Sequence, residues 1–247
     1  MLHAWVQVRE DGMPFNVNAY AAYDGFHERG ILTDFFDPTD DGWWAALPDR
    51  ARQEELVFSA GIGVVTRILR TLGIPPNSTI DYPRSLEPWF GRKVWQTTLG
   101  DVRDSEKTLF VKSVDGKLIN GHLVGDFSDL LKSTGHPDAT PVYVSEPMEF
   151  KAEWRVFILD GEILDIRRYK GSPFLAPSED TVLAMAEAVW RSGECPAAFG
   201  MDVGWVEGGR TCLVEVNEGY SLGTYGLAPA LVARMLERRW RQFFAHR

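Results

Sequence analysis

The chain has 247 residues, 45% of them hydrophobic and 25% charged, enough for one large or two small domains with a packed core. Its formal net charge of −9 argues against a broad nucleic-acid or anionic-membrane surface, and no apolar run approaches the ~20 residues that span a bilayer. Two cysteines, Cys195 and Cys212, in no CxxC or zinc spacing, and an N-terminus "MLHAWVQVREDG" without a signal-peptide pattern, lead us to expect a cytoplasmic protein with no structural metal.

In chain order, "AWVQVR" alternates and predicts a strand, and "NAYAAYDGFHERG" predicts a helix that ends at Gly30. "ILTDFFD" is a second strand. The pair Trp43-Trp44 lies in a Gly/Asp/Pro-rich stretch read as a loop, with both rings packed beneath it. "EELVFSAG" is a third strand running into a helix, "IGVVTRILRTLGI", whose Val64, Val65, Ile68, Leu69 and Leu72 recur at helical spacing before Gly73. The breakers of "IPPNSTIDYP" close this unit. Alternation of strand and helix predicts a small α/β domain over 1–78, followed by a second domain over 79–247.

The second part changes character. "KTLFVKSVDGKLINGHLV" and "TPVYVSEPMEF" are strand-rich, and two hairpins follow. One turns at Asp160-Gly161, between "EWRVFIL" and "EILDIRRY"; the other turns at Gly208-Gly209, between "MDVGWVE" and "RTCLVEVN". "SEDTVLAMAEAVWRSG" and "LAPALVARMLERRWRQFFAHR" are amphipathic helices, the arginines of the latter (Arg234, Arg238, Arg239, Arg241) read mostly as a solvated face. Hairpins with helices between them indicate an α+β fold.

Register gives the second hairpin its interest. A two- or four-residue loop pairs Val206 with Thr211, Gly204 with Leu213 and Asp202 with Glu215, two like charges opposed across the strands. Asn217 falls on the same side as Glu215, while Val203, Trp205, Cys212, Val214 and Val216 make the other, apolar face. A hard cation such as magnesium would relieve the repulsion; the other reading is that the carboxylates are solvated, or that a three- or five-residue loop slips the pairing by one. In the first hairpin, a two-residue turn places Arg155 opposite Ile166, with Arg168 on the same face and Arg167 turned away.

An acidic residue on one strand, Glu-x-Asn on its partner and a glycine turn beyond resemble the magnesium site of the ATP-grasp superfamily, with Asp202 in "FGMDVGW" and Glu215 and Asn217 in "LVEVNEGYSLGTYG". The upstream motifs fit in order. By this resemblance Lys112 in "TLFVKS" contacts nucleotide phosphates, and Glu146 and Met148 in "VYVSEPMEF" meet adenine. Glu153 and Arg155 in "AEWRVFILDGEI" meet ribose and phosphate, and Arg168 and Lys170 in "DIRRYKG" meet the transferring phosphoryl group. The turn after the metal strand, with Tyr220, Ser221, Tyr225 and Gly226, would border the substrate carboxylate.

Lys93 stands where relatives carry an earlier lysine, and Lys117 lies in a lid-like loop with few glycines. Gly200 occupies the position of an arginine common in the family, so that another cation, Arg155 or the "RRYK" cluster, must serve. The likeness, closest to a small bacterial and phage clade, runs from about residue 80 to 228. It implies an ATP-grasp fold behind a small α/β pre-domain. It also implies ATP and Mg2+ (Mn2+ as the substitute) and a carboxylate–amine ligase that works through an acyl phosphate. Its substrates would be a small molecule, an amino acid or a peptide, and neither nucleic acid nor membrane. The competing readings are a nucleotide-binding regulatory module without turnover and a kinase-like phosphoryl transferase.

Overall fold

A computed structural model describes residues 1–75, 80–114, 118–126, 129 and 134–245. Residue 78, the expected domain boundary, and Lys117 lie outside the described residues.

Strands β1 (Leu2–Gln7), β2 (Leu32–Phe36) and β3 (Glu55–Ser59) form a parallel sheet in the order β2-β1-β3. Parallel neighbours need crossover connections, and these are helices α1 (Val17–Glu28) and α2 (Asp41–Gln53). Asn16 caps α1 by accepting from the amides of Asn18 and Ala19. Helix α2 replaces the loop expected around Trp43-Trp44. Asp40 caps it, and although Pro48 removes one donor from its interior, burial of Trp43, Trp44 and Leu47 offsets the loss. Helix α3 (Ile62–Thr71) follows β3 and buries Val65, Ile68 and Leu69.

The second sheet is antiparallel, in the order β4-β7-β5-β6, from β4 (Val94–Thr98), β5 (Leu109–Ser113), β6 (His122–Val124) and β7 (Pro141–Ser145). Between β4 and β5 a short helix α4 (Leu99–Arg103) starts at a capping box in which the Thr98 and Asp101 side chains each bond the other's amide. The third sheet, order β11-β10-β8-β9, contains β8 (Ala152–Leu159), β9 (Glu162–Gly171), β10 (Ala198–Val206) and β11 (Arg210–Glu218). Helix α5 (Glu179–Ser192) packs Val182, Met185, Ala186 and Val189 onto the apolar face of this sheet. Its Ser178 cap and left-handed Gly193 mark its ends.

The last helix, α6 (Pro229–Ala245), returns to the first sheet. Trp240 is fully buried against β3 and donates to the Phe58 carbonyl at 2.8 Å. Gly25 in α1 permits this approach, because any side chain there would collide with the Pro229 carbonyl. The core of the parallel sheet is thereby continuous with Phe157, Leu159 and Ala198 of the third sheet.

Arg239 corrects the expected solvated face. It is 1% exposed, stacks 3.6 Å over Phe243 and grips Glu218 at the end of β11 through bonds of 2.9 and 3.1 Å. Removing one partner of a buried pair strands the other's charge, at a cost of about 3–5 kcal/mol. Urea unfolding should therefore show Arg239→Met losing about 3 kcal/mol. The double variant Arg239→Met/Glu218→Met should recover most of that loss; equal destabilisation of the two would contradict a charge-based role.

Candidate active site

Strand alternation sends Trp154, Val156 and Ile158 of β8 into the apolar core and leaves Glu153, Arg155 and Phe157 on the other face. Their neighbours across β10 are Gly204, Asp202 and Gly200 respectively. On the far side of β10, Asp202 pairs with Glu215 of β11, so three acids share one face.

The expected pairing of Asp202 with Glu215 holds, but by a different route. The loop leaves Val206 opposite Arg210, one residue off the expected register, and a bulge between Asp202 and Val203 shifts it back. In between, Leu213 takes the core side opposite Val203, and Cys212 sits opposite Gly204 on the other face.

Every acid in this group is met by a cation. Arg155 clamps Asp202 with two bonds, Nε to Oδ1 at 2.8 Å and Nη2 to Oδ2 at 2.6 Å, and both residues are buried. Lys112, reaching across from β5 of the second sheet, donates to Glu215 at 2.6 Å and to Asp81. Its ammonium also lies 4.9 Å from the Tyr82 ring centre. Glu153 accepts from Lys170 and, at 2.8 Å, from the Tyr169 hydroxyl.

Burial raises the Asp202 pKa above the ordinary carboxylate value, opposed by Arg155 and reinforced by Glu215 and Glu153. Burial would lower that of Lys112, but Glu215, Tyr82 and Asp81 hold it above the ordinary lysine value. Tyr169 is pushed well up by burial and by the nearby Asp202 and Glu153, which keeps it a neutral donor.

The donor set can be tested against a metal. No group of three or more histidine, cysteine or carboxylate side chains able to hold an ion forms among the described residues. What converges is two carboxylates and one amide. Asn217 Nδ2 donates to Asp202 Oδ2 and to Glu215 Oε1, each at 3.1 Å. Rotating that amide would present its oxygen to the same point. Three oxygen ligands fit magnesium, which keeps waters and shares substrate phosphates.

Other expected residues are placed unevenly. A bulge between Phe157 and Ile158 puts Arg167 opposite Arg155 and Arg168 opposite Trp154, correcting the expected register. Arg168 is accordingly exposed on the Trp154 side and donates to the Gly171 carbonyl at 2.7 Å; it does not converge with Arg155. Arg167 pairs with Asp165. Lys93 is exposed, its ammonium 5.2 Å from the Trp95 ring centre, and no ion pair joins it to the acids among the described residues. Its amide donates to Glu146 Oε2 at 3.0 Å, so these two residues meet at the junction of β4 and β7. Met148 lies beside Gly91 and Cys212. In the glycine turn Tyr225, at a left-handed φ of 47°, stacks on Tyr169 with centroids 4.8 Å apart and covers the Arg155 guanidinium at 5.1 Å.

Four residues of the site were not anticipated, Tyr169 on Glu153 being one. Asp81 and Tyr82 come from the breaker-rich segment and run along β11, where the Asp81 carbonyl accepts from Val216. Arg92 ties the two sheets, bonding Ser145 of β7 and the carbonyls of Leu213 and Val214.

Gly200 acquires a purpose from this geometry. A Cβ there would sit 3.0 Å from Arg155 Cδ, so the missing side chain leaves the room into which Arg155 leans from the next strand.

A family model for an ATP-grasp domain, the second family of its clade, matches residues 89–235. No curated protein matches the sequence. Among solved structures, D-alanine–D-alanine ligase from Bacillus anthracis, complexed with ATP, is similar with TM-score 0.58 and 14% identity, over 100% of this chain and 99% of that one. An L-amino acid ligase from Bacillus licheniformis is similar with TM-score 0.60 and 13% identity, over 96% of this chain and 74% of that one. The N5-carboxyaminoimidazole synthetase from Staphylococcus aureus, complexed with ADP, is similar with TM-score 0.63 and 10% identity, over 96% of this chain and 77% of that one. At such identities the likeness establishes the fold.

Proposed function

The chain belongs to the ATP-grasp domain family whose model it matches, and from that premise we propose that it is an ATP- and Mg2+-dependent carboxylate–amine ligase. The observation that carries the reading is the meeting of Asp202, Glu215 and Asn217 with Lys112 and Arg155 in one partly buried group between two antiparallel sheets. Nothing in a packed core requires so many charges together, and each is costly to bury.

In this reading Asp202, Glu215 and Asn217 hold the magnesium, which when bound neutralises phosphate charge and polarises the transferring group. Lys112 binds the nucleotide phosphates, Glu153 the ribose hydroxyls, and the Glu146–Met148 segment the adenine edge. As the site stands, Lys112, Arg155 and Lys170 each neutralise an acid; incoming phosphates would take over these cations and free Asp202 and Glu215 to serve as ligands. Arg155 is the cation nearest the position of the absent arginine, and it offsets the repulsion between a substrate carboxylate and the γ-phosphate. A carboxylate oxygen attacks the γ-phosphorus and the bond to ADP breaks, giving an acyl phosphate. An amine then attacks the acyl carbon, phosphate leaves, the nitrogen loses a proton and an amide remains. Tyr225 and Tyr169, stacked over Arg155, help keep water from the acyl phosphate.

The test is ADP release that depends on both Mg2+ and an added carboxylate, with hydroxylamine as the amine so that a hydroxamate accumulates. ATP binding without ADP or hydroxamate, for every carboxylate tried, would sink the ligase reading. A stable phosphorylated product without amide would make the protein a kinase.

A further inference from the structure

A second compartment lies next to this site. It encloses roughly 510 Å³, counted with its open mouth, between the parallel sheet, the glycine turn after β11, and α6. Phe157, Leu222, Leu227, Val232, Met235 and Leu236 form much of its wall, and no charged residue lines it among the described residues.

Its place in the fold is that of a ligand site. In the order β2-β1-β3 the chain leaves β1 in one direction and crosses back to reach β3. The connections from β1 to α1 and from β3 to α3 therefore part at the carboxyl ends of those strands, and a crevice opens between them. Phe15, Ser59 and Ala60 from these connections line the cavity.

Among the described residues the wall mixes these apolar side chains with six polar ones, Asn16, Asn18, Ser59, Tyr220, Ser221 and Thr224. Ser59 is 7% exposed, and its hydroxyl has no hydrogen-bond partner among the described residues. Asn18 accepts from the Thr224 amide and hydroxyl at 2.9 and 3.0 Å, which leaves its own amide nitrogen without an acceptor among the described residues. Ser221 donates to the Ala60 carbonyl at 3.1 Å and so bolts the glycine turn to the crevice. A cavity that joins apolar side chains to convergent hydrogen-bonding groups is the usual form of a small-molecule pocket.

The cavity also lies in line with the reacting groups. Phe157 is two residues beyond Arg155 on the same face of β8, about 7 Å further along. Leu222 stands at the border, lining the cavity and touching the space above Gly200 into which Arg155 leans.

We propose that this cavity receives the uncharged, apolar side chain of the carboxylate substrate while its carboxylate meets Arg155. The substrate class is then an amino acid with a branched aliphatic or aromatic side chain, either free or as the C-terminal residue of a peptide. This inference rests on the ligase reading, because it takes Arg155 as the carboxylate partner. Aspartate or lysine side chains are disfavoured because no charged residue among the described ones lines the wall to pair with them.

The test uses the full chain with Mg2+, ATP and hydroxylamine. The carboxylates are glycine, leucine, phenylalanine, aspartate and lysine, and the dipeptides glycyl-leucine and glycyl-aspartate. Leucine or phenylalanine, or glycyl-leucine, should exceed the charged counterparts roughly 100-fold in kcat/KM. Activity on the dipeptide alone identifies a peptide end as the substrate; activity on the free acid alone identifies the amino acid.

Thermal stabilisation by leucine or glycyl-leucine, in the presence of a non-hydrolysable ATP analogue, reads binding without turnover. Met235→Trp should abolish that increment and leave the increment from the analogue unchanged, while Met235→Ala should shift preference toward the larger side chain. If Met235→Trp does not fold, Met235→Ala and the wild-type panel decide. Equal or better use of aspartate or lysine overturns the inference and leaves the ligase reading standing. ADP formation with none of them, despite ATP binding, removes the ligase reading and this inference with it.

Discussion

Replacing Asp202 with asparagine is expected to reduce carboxylate-dependent ADP formation by about 10³-fold, equivalent to about 4 kcal/mol of barrier. Asp202 occupies the centre of the group: Arg155 grips both of its oxygens, Asn217 donates to one of them, and Glu215 faces it across the strands. The amide is close in shape, so packing survives while one anionic ligand is lost. Glu215→Gln should show a loss of the same order with an added signature, because Glu215 also bonds Lys112. Its Mg2+ requirement should move to higher concentration and its KM for ATP should rise. Steady-state ADP release at saturating ATP, repeated across a Mg2+ titration, measures both effects. Rates within threefold of wild type for either variant would place the metal elsewhere.

The second large effect concerns Arg155. A lysine there keeps one positive charge but loses the planar fork that holds both Asp202 oxygens. Arg155→Lys should lower kcat about 10²- to 10³-fold with little change in the KM for ATP, the pattern of a group that acts mainly on the charge of the transition state. Gly200 supplies a sharper test. Its missing side chain leaves the room that Arg155 fills, and an arginine at position 200 would approach the same point from β10. Arg155→Met combined with Gly200→Arg should therefore recover part of the activity lost in Arg155→Met alone. No recovery in a folded double variant would mean that Arg155 is needed for its grip on Asp202 and for nothing at the reacting phosphate.

The two hairpins and the acids Glu153, Asp202 and Glu215 were legible because alternation and turn residues speak directly to local geometry. Asp160-Gly161 forms the expected tight turn, both residues at positive φ of 48° and 86°. Bulges were not legible. One of them in the first hairpin, between Phe157 and Ile158, turned Arg168 away from Arg155. In the second hairpin a loop offset and a bulge cancelled, so Asp202 met Glu215 although the intervening pairs were each displaced. Asp81 and Tyr82 were missed because a breaker-rich segment has no period from which to read a facing direction. Arg239 was missed because helix periodicity does not say that a helix is covered on more than one side. Helix α2 carried a signal that composition hid: Asp40 at the cap, then Trp43, Trp44 and Leu47 at spacings that share one helical face.

The return of α6 to the first sheet has a consequence for how the molecule is made. Trp240 caps Phe58 across 182 residues of chain, and Glu237 bonds Arg29 across 208. The α/β layer is synthesised well before α6, the helix that covers it. At ~5–20 residues per second, the strands and helices of that layer wait on the order of ten to forty seconds with Phe26 and Phe58 lacking their cover. The residues of that layer must therefore stay soluble, or be held by a chaperone, until α6 is translated.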